Sequence, residues 1–157
     1  MCEYCGCQSI KAIAELTAEH DSVVNLISNV RAAHRSGDTA EMARMARLIT
    51  ALLLPHTQVE EHGLFPPMAD EFPEQTAALE DEHRRIETVL SEATEGIPTD
   101  PGWPGRLMDA LALLREHILK EQDGVFPAAL ANLGPEQWDR VDAVRARVTE
   151  AASTPTQ

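Results

Sequence analysis

His56-Thr57-Gln58-Val59-Glu60-Glu61-His62-Gly63-Leu64-Phe65-Pro66 returns in spacing as His117-Ile118-Leu119-Lys120-Glu121-Gln122-Asp123-Gly124-Val125-Phe126-Pro127. Both copies read His-x-x-x-Glu, then Gly, then Phe-Pro. Each is preceded at similar range by another His, with Glu19-His20 lying 36 residues before His56 and Glu82-His83 lying 34 before His117. The chain therefore reads as a duplicated helical hairpin carrying four His and two Glu, which is first of all a pattern for binding metal.

The length of 157 residues suits one domain with its own core. Few aromatics and abundant Ala and Leu favour helix over strand. Asp and Glu number 26 against 13 Lys and Arg, a formal charge of −13. A field of that sign repels nucleic acid and anionic lipid surfaces, so neither is expected as a partner. The longest apolar run, Leu48–Leu54, is interrupted by Thr50 and falls far short of the roughly 20 residues of a membrane span. The N-terminus has neither the basic start nor the apolar core of a signal peptide, and a cytoplasmic location is expected.

The expected fold class is all-α, with no convincing strand alternation. Ser9 is placed to cap a first helix running to about Arg35, with Gly37 just past its end and the stripe Ile13, Leu16, His20, Val23, Ile27, Val30 facing inward. Asp38 and Glu41 resemble a capping box opening a second helix, whose stripe passes through Ile49, Leu52, His56 and Glu60. Pro55 is expected to kink or widen that helix beside His56. A third helix starts near Pro73 and carries Leu79, His83 and Leu90. The run Gly96 to Gly105 is a loop, and a fourth helix from about Arg106 to Asn132 carries Leu114, His117 and Glu121. A shorter fifth helix follows from Pro135 to about Ala152. The resulting division is a cysteine-bearing tail (1–8), one bundle domain (9–152) and a flexible tail (153–157).

Residues four apart share a helix face, so His56 with Glu60, and His117 with Glu121, can each grip a common centre that His20 and His83 complete. Four independent His would all face the core only about 3% of the time by chance. Six buried polar groups would otherwise need six separate partners, each unpaired group costing about 1–3 kcal/mol. Imidazole with carboxylate and no thiolate suits iron or manganese, and two Glu able to bridge point to two ions with a bridging oxygen and open positions. Glu87, four residues after His83, has three readings: it fills an open position, it hydrogen-bonds a ligand His, or it points to solvent beside Arg84 or Arg85. His62 is expected at the surface, and His34 at the end of the first helix, where a protonated imidazole would suit the helix dipole. Cys2, Cys5 and Cys7 form Cys-x-x-Cys-Gly-Cys, which reads as a second metal or redox site or as an inert tail.

The set His20, His56-x-x-x-Glu60, His83 and His117-x-x-x-Glu121 resembles the signature of the hemerythrin-like family, the HHE cation-binding domain. The resemblance spans about residues 9 to 132. It implies an antiparallel up-and-down four-helix bundle around two iron ions with a bridging oxo or hydroxo group, and functions around O2, nitric oxide, peroxide and iron handling. Glu87 stands where oxygen-carrying members have a second His in the third helix. Glu121 stands four residues after the last His, where they have Asp at five. These departures point away from reversible oxygen storage. The four-His, two-Glu set is similar to bacterial stress-response members, including some linked to repair of damaged iron centres.

The leading expectation is a di-iron redox protein that binds O2, nitric oxide or hydrogen peroxide and either consumes it, as an oxidoreductase drawing electrons from an external donor, or reports it. The alternatives are an iron store, donor or repair protein, a sensor of iron or oxygen, and a purely structural metal.

Overall fold

The computed structural model describes residues 6–153, and all regular structure among them is helical. α1 spans Cys7–Arg35 and α2 Thr39–Val59. A π-helical turn, Glu60–Leu64, joins α2 to the short α3 (Phe65–Ala69). α4 spans Pro73–Ser91 and α5 Trp103–Lys120; a second π turn, Glu121–Val125, leads into α6 (Phe126–Asn132), and α7 runs Pro135–Ser153. The two copies of the repeat thus share one backbone form.

Local chemistry sets the boundaries. α1 begins two residues before Ser9, behind Gly6 at φ +69°, and Ser9 Oγ donates to the Gly6 carbonyl rather than capping the helix. Gly37, at φ +70°, turns the chain after α1, a conformation only glycine adopts without strain. Asp38 caps α2 by accepting from the Glu41 amide at 3.0 Å. The Glu41 carboxylate, expected to complete a capping box, pairs instead with Arg44. α5 starts three residues earlier than its sequence suggests, because Trp103 is fully buried and donates its indole N–H to the Val89 carbonyl on α4.

Pro55 sits within α2, and the helix widens further on, at Glu60–Leu64. The second copy widens equally at Glu121–Val125 with Glu116, not proline, before its His. Both copies share a proline just after the turn, Pro66 or Pro127. A helical proline has no N–H and crowds the carbonyl four residues back, and a wider turn relieves that crowding. In each turn the Phe amide reaches five residues back, Phe65 to Glu60 and Phe126 to Glu121.

α1 packs on α2 and α5, and α4 packs on α2 and α5, closing a ring of four rods. Two apolar clusters fill it. One holds Val23, Ile27, Leu53, Ile86, Leu90 and Leu114 among others, and the other holds Leu16, Val59, Leu64, Leu79 and Phe126. His20 falls between Leu16 and Val23, His56 between Leu53 and Val59, and His83 between Leu79 and Ile86. The polar residues therefore form a thin layer between two oily halves.

α7 lies against the first π turn and extends the second cluster through Trp138, Val141, Val144 and Val148. Gly63 makes that approach feasible, since a Cβ there would come 3.1 Å from Val141 Cα, whereas one on Gly124 would meet nothing. Gly63→Ala should therefore lower stability by about 1–3 kcal/mol through overpacking. Gly124→Ala should be neutral or stabilise by up to about 1 kcal/mol, because alanine loses less backbone entropy in a helix. Urea unfolding of the two variants checks this, and equal effects would contradict the assigned packing of α7.

Candidate metal centre

His20 from α1, His56 from α2, His83 from α4 and His117 from α5 turn inward at one level, each 3% exposed or less. Glu60 and Glu121 open the two π turns and are wholly buried. His20 Nε2 lies 3.1 Å from Glu121 Oε1, and His117 Nε2 lies 3.3 Å from the same atom. His56 and His83 Nε2 lie 3.3 and 3.4 Å from Glu60 Oε1. One group of converging atoms comprises His20, His56, Glu60 and Glu121, and the other comprises Glu60, His83, His117 and Glu121, with every donor in a group within 4.8 Å of the rest. Both carboxylates belong to both groups.

The donor set fits a metal on two counts. His20 Nε2 and both oxygens of Glu60 and Glu121 are buried without a hydrogen-bond partner, an arrangement that is costly unless a cation answers it. Donors at right angles about an ion roughly 2.1 Å from each would themselves stand about 3 Å apart. The N to O spacings of 3.1 to 3.4 Å are close to that value.

The outward nitrogens complete the arrangement. His56 Nδ1 donates to Glu19 at 3.2 Å, His117 Nδ1 to Glu82 at 2.7 Å, His83 Nδ1 to Glu61 at 2.8 Å and His20 Nδ1 to the Gln122 amide oxygen at 3.0 Å. Carboxylate and amide oxygens only accept, so each of these bonds places the proton on Nδ1 and leaves Nε2 facing the centre. Arg145 holds Glu19, Arg84 holds Glu61, and Lys120 holds Glu82. Phe126 stacks on His20 and Phe65 on His83, so the Phe-Pro motifs supply apolar walls.

These supporting residues escape a sequence reading that stops at the ligating pattern. Glu19 and Glu82 had a signal, since the dipeptide Glu-His occurs before both hairpins' first imidazole. Glu61 and Gln122 are each the residue following the buried Glu, another repeat-borne signal. Arg145 comes from α7, outside the repeat, and had none. Glu87 belongs to neither converging group: it accepts from Thr57 at 3.5 Å and pairs with Arg84 at 3.3 Å. His34 and His62 are exposed. Cys7 opens α1 and joins no metal-holding group among the described residues, while Cys2 and Cys5 lie outside those residues.

Without metal, the site is an array of coupled charges. Burial alone would lower the pKa of His56, but Glu60 and Glu19 outweigh it and push it up to about 10. The same contest, won by Glu121, Glu60 and Glu82, raises His117 to about 9. Burial opposes ionisation of Glu60, yet His56 beside it holds its carboxyl well below the usual range. His83 is also shifted upward, but its Nε2 stands 3.0 Å from that of His117, and only one proton fits between them.

The chain's sequence matches the model of the hemerythrin HHE cation binding domain over residues 11–129. No curated protein and no solved structure matched it.

A raised imidazole pKa stabilises the fold fully below its unfolded value, near 6.5, and that stability is lost as pH climbs through the folded value. A depressed carboxyl pKa stabilises above about 4.5 and is lost on acidification. Metal-free protein should therefore be most stable between about pH 4.5 and 6.5 and weaken as pH rises toward 9 to 10. Chemical unfolding of the metal-free chain across this range tests it, and stability that increased from pH 7 to 10 would contradict the assigned charge network.

Proposed function

The chain belongs to the hemerythrin HHE cation-binding family, and on that premise we propose that it is a non-haem di-iron protein that binds or reacts with a small molecule in oxidative or nitrosative stress. The observation that carries the reading is the sharing of Glu60 and Glu121 by both converging groups. In this reading the four rods form an antiparallel up-and-down bundle within a domain of residues 9–152, with α7 as its fifth helix. His20 and His56 would hold one iron and His83 and His117 the other, with Glu60 and Glu121 shared by both and an oxo or hydroxo group completing the cofactor. Bound iron would supply one-electron redox chemistry toward O2, nitric oxide or hydrogen peroxide.

The protein's own residues prepare that chemistry. The Nδ1 hydrogen bonds aim the imidazoles, and three of the four acceptors are carboxylates that raise imidazole basicity. Phe65, Phe126 and the aliphatic clusters keep bulk water out. Beside the four imidazoles lies a cavity of about 10 Å³ walled by Leu53, Ile86 and Leu114, with Thr57 and Glu87 at its edge. The apolar walls of this space suit small, weakly polar ligands. Electrons come from an external donor. No helix among the described residues is long and apolar enough to cross a membrane, and a cytoplasmic setting suits the acidic chain.

The second reading, an iron donor or repair protein, draws on the Cys2, Cys5 and Cys7 cluster. Cys7 stands thirteen residues before His20 on the same helix, about 20 Å along its axis, so its sulfur lies apart from the His/Glu centre.

Iron-loaded protein is expected to change its optical spectrum on adding nitric oxide or peroxide, and Cys2, Cys5 and Cys7 replaced together by Ser should leave that response unchanged. A spectrum inert to both and to O2 would overturn the small-molecule reading. Loss of iron delivery to an acceptor protein in the Ser variant, with the spectral response intact, would favour the donor reading.

A further inference from the structure

Two cavities share one wall. The inner one is the 10 Å³ space against the four imidazoles. The outer is a surface cleft of about 190 Å³ lined by Leu54, Gln58, Glu61, His62 and Arg84. Thr57 and Glu87 line both, and they are the residues the two cavities have in common. Thr57 is 4% exposed, and the Glu87 side chain reaches 27% exposure, so the pair spans from the interior to the surface.

The contact between them is loose. The Thr57 hydroxyl lies 3.5 Å from Glu87 Oε1, at the outer limit of a hydrogen bond, and 3.2 Å from the Leu54 carbonyl. A hydroxyl has one proton, which can serve the Leu54 carbonyl while Glu87 swings away. Arg84 holds the other carboxylate oxygen of Glu87 from the surface side, at 3.3 Å.

The internal repeat isolates this feature. Glu87 follows His83 by four residues, as Val24 follows His20, and Thr57 follows His56 by one, as Ile118 follows His117. The α2/α4 seam therefore carries Thr and Glu where the α1/α5 seam carries Val and Ile. Ile118 belongs to the apolar core, and Val24 packs against it. One seam is sealed with hydrocarbon, and the other is closed by a polar pair.

We propose that the Thr57 and Glu87 pair is the door to the metal-facing cavity, and that Glu87 selects neutral small molecules over anions. This rests on the small-molecule reading above. In the outer cleft, the Glu61 and Glu87 carboxylates outnumber the guanidinium of Arg84, with His62 as the remaining ionisable lining residue, so an approaching anion meets two carboxylates, one of them in the shared wall. A neutral diatomic meets no such barrier. Glu87 then acts on the passage of the ligand and does not hold the metal.

The test compares association rates of azide, an anion, and nitric oxide, which is neutral, with the iron-loaded full chain by stopped-flow spectroscopy. Glu87→Gln keeps the size of the door and removes its charge. It should raise the azide rate roughly tenfold or more, leave the nitric oxide rate within about twofold, and leave the resting iron spectrum as in the native chain. Thr57→Val removes the latch and should raise both rates by a similar factor. Association with an unchanged ratio of the two rates in Glu87→Gln would overturn the door alone. A changed resting spectrum would make Glu87 a ligand and overturn it also. No association of either molecule with the native chain would overturn the small-molecule reading and the door with it.

Discussion

Two carboxylates, Glu60 and Glu121, stand with no exposed surface in a layer between two hydrocarbon clusters. An isolated carboxylate in such a place is among the costliest groups a fold can bury. Everything around the layer answers that cost: four imidazoles turned toward the carboxylates, hydrogen-bond acceptors behind every imidazole, and cations behind three of those acceptors. The aliphatic clusters above and below keep the level of the layer fixed, and the widened turns place each Glu at the start of its bend. A cation held by the two Glu would convert the most unfavourable part of the interior into the feature that ties four rods together.

The repeat distributes this arrangement almost evenly. Glu19 serves His56 as Glu82 serves His117, both within a hairpin, and Glu61 serves His83 as Gln122 serves His20, both across hairpins. Beyond Thr57 against Ile118, three departures from symmetry stand out. Gln122 is a neutral amide where its counterpart is a carboxylate; Val24 stands where the other half has Glu87; and α7 covers the first π turn but not the second. The last leaves an apolar groove of about 440 Å³ over Gly124 and Val125, bordered by Met68 and Phe72. Chemistry on a duplicated scaffold resides in such differences, because the shared parts treat both converging donor groups alike.

Much of this was legible in the sequence because a helix converts spacing into direction. His56 with Glu60 and His117 with Glu121 needed only the four-residue step, and the stripes through His20 and His83 placed the other two. The capping glycine at Gly37 and the start at Pro73 were equally readable. What escaped depends on contacts between distant segments. Arg145 reaches Glu19 from a helix the repeat does not include, and the burial of Trp103 draws the start of α5 back into what reads as loop. The widening attributed to Pro55 belongs to Pro66 and Pro127, a distinction visible only once both copies show the same turn. Gly63 and Gly124 look equivalent in sequence and differ because only one lies under Val141.

The central claim is that one shared pair of carboxylates organises two metal ions. Anaerobic calorimetric titration of the metal-free chain with ferrous ion, alongside Glu60→Gln and Glu121→Gln, tests it most directly. The account predicts two ions per native chain and weakened binding of both ions in each single variant. One ion per native chain, or two ions of which each variant loses only its own, would contradict it.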